Sequence, residues 1–501
     1  MKGSAALERH RVGEPAAADV GVTHPLVLDL DGTLLRTDLL LEAALAYLKR
    51  HPLRIFVLLF WLCRGIAHLK HQLALRTEIV PELLPLNEAL VSYATDAAAQ
   101  GRTVVVATAA NRRLAEAACG RLDFVSEVIA SCDQINLKGH QKAALLKARF
   151  PEGFAYAGDC RADLPVWRVA TSGVFAGRDG AVRRSLTRVT SLEADCTDPA
   201  PNWRHWLRAL RLHQWAKNVL LFLPLLLAGR ILDVGTWLAC AAAFLALGLT
   251  ASGTYIINDL LDLEADRQHW SKRRRPFAAG DIGIRDGVLA AGGLLASGLT
   301  IAVLAGGSVL LSALLLYSLV SLSYSLHLKR IPVLDVILIA SLFTLRLVIG
   351  ALAADVRLSS WLLVFSMFLF TSLALAKRAT EMGRGAVINA AKPSVSAAAG
   401  RGYVAADTVL VGAMGVATAV AAIQVMVLYL IHDAFEDALY RAPQLLWAVP
   451  VLIGLWLGRI WLLSGRGLLD DDPVVFAIGD RISIALGFGV VASFAGAALL
   501  R

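Results

Sequence analysis

From Trp203 to Arg501, nearly every window of about twenty residues contains an apolar run long enough to cross a bilayer. Such runs can fold only where their backbone polar groups are satisfied internally, so they read as transmembrane helices. They can be drawn at 218–232, 234–257, 286–305, 307–326, 334–354, 358–376, 406–431, 444–464 and 480–500, which predicts an all-α polytopic bundle of about nine spans. Residues up to Pro201 have the composition of a globular protein instead. With 57% hydrophobic residues in 501, the chain divides into one soluble and one membrane part. The expected organisation is a tail over 1–23, a soluble α/β domain over 24–190, a linker over 191–202 carrying Asp195, Asp198, Pro199 and Pro201, and a membrane domain over 203–501.

The net charge of +9 is not a nucleic-acid signal, because the basic residues concentrate in short loops between apolar runs. The loops after the second, fourth and sixth spans hold Arg267, Lys272 to Arg275, Arg285, Lys329, Arg330, Lys377, Arg378, Arg384, Lys392 and Arg401. The intervening loops hold little beyond Arg230, Arg357 and Arg441, and 432–437 is acidic. The positive-inside rule therefore places the basic loops and the soluble domain on the cytoplasmic side of a membrane crossed many times, and a bacterial inner (plasma) membrane is the expected location. The six cysteines, at 63, 119, 132, 160, 196 and 240, form no C-x-x-C pair and read as reduced thiols. Residues 1–24 lack the apolar core of a signal peptide.

The chemistry is expected between Asn258 and Gly280, where a long apolar run gives way to N-D-L-L-D-L-E-A-D-R-Q-H-W-S-K-R-R-R-P-F-A-A-G. Asn258, Asp262 and Asp266 recur at i, i+4 and i+8, and Asp259 lies three before Asp262, so a continuing helix projects all four from one face. Carboxylates this close repel unless a cation lies between them, and oxygen-only ligands suit Mg²⁺ holding a phosphate. Lys272, Arg273, Arg274 and Arg275 supply positive charge for a diphosphate. A plain loop, with solvated acids and arginines on lipid headgroups, is the blander reading; acids at the end of an apolar helix are costly enough to argue against it. The pattern N-D-x-x-D-x-x-x-D followed by a basic R-P segment resembles the first aspartate motif of the UbiA-type membrane prenyltransferase superfamily, over roughly 203–501. Nine spans is also the number this resemblance implies.

In the soluble part, Leu26 to Leu28 form a short strand running into Asp29-Leu-Asp31-Gly-Thr33. A second strand, Thr103 to Ala107, ends at Thr108; a third, Phe154 to Ala157, ends at Gly158-Asp159-Cys-Arg-Ala-Asp163; Lys138 and Lys142 stand where a helix begins. Acids at the carboxyl ends of strands converge on a crevice. The ordered set resembles the haloacid dehalogenase-like (HAD) phosphatases over about 24–190, implying a Rossmann-like fold with a helical cap at 34–100. The resemblance implies Asp29 as nucleophile, Asp31 as acid and base, Thr108 with Lys142 or Lys138 on the transferring phosphate, and Asp159 with Asp163 and Asp29 on Mg²⁺. A degenerate docking domain is the bland alternative. Within the cap, Ile55 to Cys63 is apolar, too short to span, and bracketed by Arg54 and Arg64. Two readings stand: a buried cap helix, or a helix lying on the bilayer and facing a lipid substrate.

The departures narrow the membrane reading. Where quinone- and haem-type members carry a second aspartate-rich motif, this chain has Ala376-Lys377-Arg378-Ala-Thr-Glu381. One metal site then faces a basic pocket, which suits one Mg-diphosphate and one phosphate monoester held by Lys or Arg. The segments Arg211 to Asn218, Tyr324 to Asp335 and Asp471 to Arg481 look like those of decaprenyl-phosphate phosphoribosyltransferases, although His269-Trp270 departs from the branch's His-Pro. The resemblance implies phosphoribosyl transfer from phosphoribosyl diphosphate to a polyprenyl phosphate, with one Mg²⁺ in each domain and the phosphatase-like domain acting on the 5-phosphate of the product. Lys217, Asn218, Tyr324, Lys329, Arg330, Asp335, Lys377 and Arg378 join Lys272 to Arg275 as substrate-binding candidates. The partners are the bilayer and these two substrates, without nucleic acid, and a homo-oligomer is compatible with the reading. The rival enzyme moves a prenyl group from its diphosphate to an aromatic acceptor. A scaffold or transporter fits less well, since the charges lie at one surface and no inverted repeat is visible.

Overall fold

The computed structural model describes residues 24–131, 137–391, 402–434, 440–469 and 473–499. Cys132, Lys392, Arg401, most of the acidic loop and the Asp471-Asp472 pair lie outside the described residues, as does the side chain of Arg384. The chain forms two compact units, one of residues 1–47 with 54–200 and one of residues 48–53 with 201–501.

The first unit is built on a parallel sheet of β1 (Leu26–Leu28), β2 (Val104–Asn111), β3 (Glu127–Ser131), β4 (Ala155–Gly158), β5 (Ser172–Phe175) and β6 (Ser191–Asp195), in the order β3-β2-β1-β4-β5-β6. The helices α1 (Leu39–Arg50), α2 (Ile55–Cys63), α3 (Ile66–Arg76) and α4 (Glu88–Ala99) intervene between β1 and β2, in the stretch predicted for a cap. The helices α5 (Arg112–Cys119), α6 (His140–Arg149), α7 (Leu164–Trp167) and α8 (Gly180–Val189) follow. The central strands are continuous apolar runs because both faces are covered. Strand order reverses beside β1, so the ends of β1 and β4 open a crevice at the topological switch point. Composition assigned Ser191–Asp195 to the linker; it is instead the edge strand, with Ser191, Glu193 and Asp195 exposed and Leu192 and Ala194 partly buried in alternation. The five described cysteines are free.

Of the two readings of Ile55–Cys63, the buried one fails. Trp61 is buried and packs on Tyr47 at 5.4 Å between ring centroids, but Phe56 is 76% exposed and Leu59 and Phe60 are more than half exposed.

The second unit is helical: α9 (Trp203–Leu210), α10 (Leu223–Leu227), α11 (Val234–Leu261), α12 (Leu263–Gln268), α13 (Ile284–Leu326), α14 (Leu334–Ala354), α15 (Ser360–Ala391), α16 (Thr408–Tyr429), α17 (Ala448–Gly465), α18 (Pro473–Gly479) and α19 (Arg481–Leu499). Among the described residues, seven helices are long and apolar enough to cross a membrane, against the nine spans expected. Two causes account for the difference. The runs 286–305 and 307–326 are the arms of α13, which leaves helical geometry at Gly306 and Gly307. At roughly 1.5 Å per residue each arm still reaches about 30 Å. The run 218–232 forms no span-length helix: Leu212–Phe222 takes 3-10 turns and α10 has five residues. Such turns are strained over long runs and here lie against α14.

The close approach is at Gly350, where a Cβ would overlap the backbone carbonyl of Leu221. Gly350→Ala is therefore expected to push α14 away from this segment and destabilise the unit by about 1–3 kcal/mol. Thermal unfolding of the detergent-solubilised chain checks it; an unchanged midpoint would mean the segment is not held by this contact.

Candidate functional site

At the end of β1, Asp29 and Asp31 leave the strand and Gly32 turns the chain at φ +76°. A Cβ on Gly32 would lie 2.6 Å from Asp159 Oδ2, so only glycine lets the loops after β1 and β4 meet. Lys142, in the first turn of α6, donates from Nζ to Asp29 Oδ1 at 2.8 Å and to the Tyr156 hydroxyl at 3.0 Å. Of the two candidate lysines it is the one brought to Asp29; Lys138 is exposed just before the helix. The second strand runs past the expected end at Thr108 to Asn111, so Thr108 is buried within β2, just before its register shift, and accepts from the Ala110 N–H at 3.0 Å.

Asp163 is brought to the same loop as Asp159 and is hydrogen-bonded within it. Its Oδ1 accepts from the Tyr156 hydroxyl at 2.8 Å, and its Oδ2 from the Asp159 and Cys160 N–H groups at 3.1 and 3.2 Å, so it holds the loop that presents Asp159. Asp159, Cys160 and Asp163 form the one close cluster of potential metal ligands among the described residues. Burial, followed by repulsion from Asp38, pushes the Asp31 carboxyl up to about 8, while the Leu39 N–H opposes the shift. Burial, then Asp163 and Asp29, push Asp159 up to about 7, and burial likewise raises Asp29 against the pull of Lys142. Facing carboxylates that resist ionisation are a donor set a hard cation would relieve, so Asp29 and Asp159 fit Mg²⁺. The helices between β1 and β2 contribute a group that sequence reasoning missed: Lys70 of α3 donates to the Ala109 carbonyl at 2.6 Å and sits close enough to Asp31 and Asp38 to feel their charge. Nothing in its spacing marks it, because a fold-back joins it to the crevice.

In the second unit, the acids predicted on one helical face stay together, although α11 ends at Leu261 and Asp262 has non-helical dihedrals. The i→i−4 bonds continue, Asp262 N–H to Asn258 C=O at 2.9 Å and Asp266 N–H to Asp262 C=O at 2.8 Å, so the row turns only slightly. Cations fill the spaces between the acids. Asp259 accepts from Arg211 and, at 3.0 Å, from Arg275; Arg275 also reaches Asp266 at 2.7 Å; Lys329 reaches Asp262 at 2.7 Å. Burial acts to raise Asp262, yet Lys329 and Lys49, the latter 3.2 Å away, together hold the carboxyl below its ordinary range. The oxygen donors fit Mg²⁺, and cations now stand where one would bind. Lys272, Arg273, Arg274 and Arg330 are exposed and Asn258 is half-buried. Arg211 was missed because it lies 48 residues from Asp259.

Three other candidates are engaged elsewhere. Arg378, foreseen on a lipid phosphate, is buried, donating to Asp335 at 2.7 Å, to Glu381 at 2.6 Å and to the Tyr324 hydroxyl at 3.4 Å. Asp335 also accepts from Tyr403 at 2.7 Å and has no exposed surface. These residues tie α14 to α15 as a structural ion pair, because a buried charge demands an opposite one. Asn218 is buried and accepts from Arg346 at 3.0 Å, while Arg346, an unremarked cation in the run 334–354, also donates to Tyr317 at 3.0 Å and to the Leu342 carbonyl at 2.6 Å. Lys217 is half-buried over the Phe343 ring, and Lys377 is half-buried on α15.

The model of the UbiA prenyltransferase family matches residues 219–500. Uncharacterized protein y4nM of Sinorhizobium fredii is 40% identical over 473 residues, 94% of this chain and 90% of that protein, an alignment that must include most of the first unit. Nodulation protein NoeC of Azorhizobium caulinodans is 32% identical over 57% of this chain and 90% of its own. The decaprenyl-phosphate phosphoribosyltransferase of Corynebacterium glutamicum is 38% identical over 181 residues, 35% of this chain, which spans about half of that relative's length, 54%. A solved UbiA homolog from Archaeoglobus fulgidus bound to GPP and Mg²⁺ aligns at 17% identity and a TM-score of 0.42, covering 58% of this chain and 99% of its own.

If Asp335 and Arg378 form a structural pair, Arg378→Met strands a buried carboxylate and should cost about 3–5 kcal/mol, whereas Asp335→Leu combined with Arg378→Met should recover most of the loss. Thermal unfolding of the single and double variants in detergent decides; a harmless single substitution would mean the pair is dispensable.

Proposed function

The chain belongs to the UbiA prenyltransferase family, and from that premise we propose that its membrane unit transfers a phosphoribosyl group from phosphoribosyl diphosphate to a polyprenyl phosphate. One observation carries the choice of substrates: a single row of acids, Asp259, Asp262 and Asp266, is enclosed by Arg211, Arg275 and Lys329, and α15 carries Lys377 and the structurally paired Arg378 where a second acidic motif would stand. A prenyl diphosphate donor would call for acids there. The similarity to proteins named decaprenyl-phosphate phosphoribosyltransferase over a third of the chain supports the same reading.

Asn258, Asp259, Asp262 and Asp266 would hold Mg²⁺, which supplies charge neutralisation of the diphosphate. Displaced from the acids, Arg211, Arg275 and Lys329 can turn to the substrates' phosphates, and Lys272 to Arg274 stabilise charge on the leaving diphosphate as the sugar C1–O bond breaks. An oxygen of the lipid phosphate, held by basic groups such as Arg330, Lys217 and Lys377, forms the new bond to C1. The first unit then acts as a HAD-like phosphatase on the 5-phosphate. Asp29 attacks phosphorus while Lys142 and Thr108 hold the phosphoryl oxygens, and Asp29 and Asp159 would hold a Mg²⁺ that supplies charge neutralisation there. Asp31 gives its proton to the leaving alkoxide and afterwards takes one from the water that cleaves the acyl phosphate. The basic loops favour a cytoplasmic position for both activities in a bacterial inner membrane.

Membranes holding the full chain, given labelled phosphoribosyl diphosphate and a polyprenyl phosphate, should form a labelled lipid without its 5-phosphate. Asp262→Ala should reduce transfer on the order of 100-fold or more. Prenylation of an aromatic acceptor instead, or undiminished transfer by Asp262→Ala, would overturn the reading. Asp29→Asn should leave transfer intact and accumulate the 5-phosphorylated lipid; release of the same final lipid as the parent would remove the phosphatase from the sequence while leaving the transferase.

A further inference from the structure

The nine residues of α2, I-F-V-L-L-F-W-L-C, are apolar on every side, a composition that belongs in a core or a membrane. The protein covers only one side. Val57, Leu58 and Trp61 pack inward, whereas Ile55, Phe56, Leu59, Phe60 and Leu62 are 47%, 76%, 52%, 55% and 48% exposed. Phe56, Leu59, Phe60 and the exposed Cys63 recur at i, i+3, i+4 and i+7, one continuous face.

Charge indicates what covers that face. From Ala43 to Thr77 there is no acidic residue, and Lys49, Arg50, Arg54, Arg64, Lys70 and Arg76 are all basic. Arg54 and Arg64 bracket the helix, and the Arg64 guanidinium lies over the exposed Phe60 ring at 4.6 Å. Aromatic and aliphatic side chains ringed by arginine suit the boundary of a bilayer with anionic headgroups, and seven membrane-length helices in the same chain ensure that a bilayer accompanies every copy.

After the turn at Gly65, α3 carries Lys70 back to the crevice, where it meets the Ala109 carbonyl beside Thr108 and lies near Asp31. One helical hairpin thus has a bare apolar face on one limb and a cation at the candidate phosphatase site on the other. We propose that α2 is an interfacial anchor lying in the bilayer surface, and that the first unit accordingly takes phosphomonoesters displayed by lipids, with Lys70 reading a second anionic group on the same substrate. The anchor stands on geometry alone; the substrate class rests on the phosphatase reading above.

The full chain in nanodiscs containing anionic lipid, with Cys63→Ser and a nitroxide attached at Phe56→Cys or Phe60→Cys, tests the anchor by collision with oxygen and with a water-soluble nickel chelate. Preferential collision with oxygen is expected. Preference for the chelate, or shielding from both as a second copy or a protein partner would cause, overturns it. For the substrate, Phe56→Glu combined with Phe60→Glu should leave hydrolysis of p-nitrophenyl phosphate within twofold of the parent while hydrolysis of bilayer-embedded polyprenyl-phosphoryl 5-phosphoribose falls tenfold or more. Lys70→Ala should raise KM for the embedded substrate tenfold or more and by a smaller factor for the soluble one. Equal effects on both substrates overturn the assignment. If the parent hydrolyses neither, the phosphatase reading and its substrate class fail together, and the nitroxide measurement still decides the anchor.

Discussion

A carboxylate at the end of a membrane-spanning helix is tolerable only with positive charge beside it, and the second unit is arranged around that constraint. Asp259, buried on α11, is approached by Arg211 from the segment before the helix and by Arg275 from the loop after it, and Arg275 bridges onward to Asp266. Lys329, beyond both arms of α13, completes the enclosure on Asp262. Three stretches distant in sequence are thereby fixed at one place, and the same groups that stabilise the acids are those a phosphate-bearing substrate would recruit.

The ion pair between Arg378 and Asp335 follows the same rule with a different outcome. In the acid row Asp259 and Asp266 are buried but their cations Arg211, Arg275 and Lys329 stay partly exposed, whereas Arg378 is itself buried with its donors already committed. Exchange with a ligand is cheap in the first arrangement and costly in the second. Arg346 shows the neutral version, a buried cation satisfied by Asn218, Tyr317 and a backbone carbonyl, with Phe343 and Tyr317 rings against its guanidinium. Basic residues that look alike in a sequence thus divide into those that hold helices together and those left at the surface.

In the first unit the acids are supplied by strand ends. Parallel order β3-β2-β1-β4-β5-β6 brings the loops after β1 and β4 together, Gly32 removes the steric barrier between them, and Lys142 and Tyr156 connect Asp29 to Asp163. Asp163 spends both oxygens on its own loop and on Tyr156, which leaves Asp159 as the carboxylate aimed at the crevice.

Local pattern determined a good deal by itself. Leu26–Leu28 is a strand because it is short, β-prone and followed at once by D-x-D-G; the acids of 258–266 share a face because their spacing matches a helical turn; and spanning length is a count of apolar residues. What pattern could not supply was every decision made by segments far apart: Arg211 on Asp259 across 48 residues, Lys329 on Asp262 across 67, Arg378 on Asp335 across 43. The same limit explains why Ser191–Asp195 looked like linker until a neighbouring strand paired with it, why 218–232 looked like a span until α14 set its geometry, and why the outer face of α2 looked as coverable as its inner one. Hydrophobic periodicity records what a segment prefers to contact, whereas which partner it meets is decided by the packing of the whole chain, where a buried charge accepts whichever opposite charge the fold delivers.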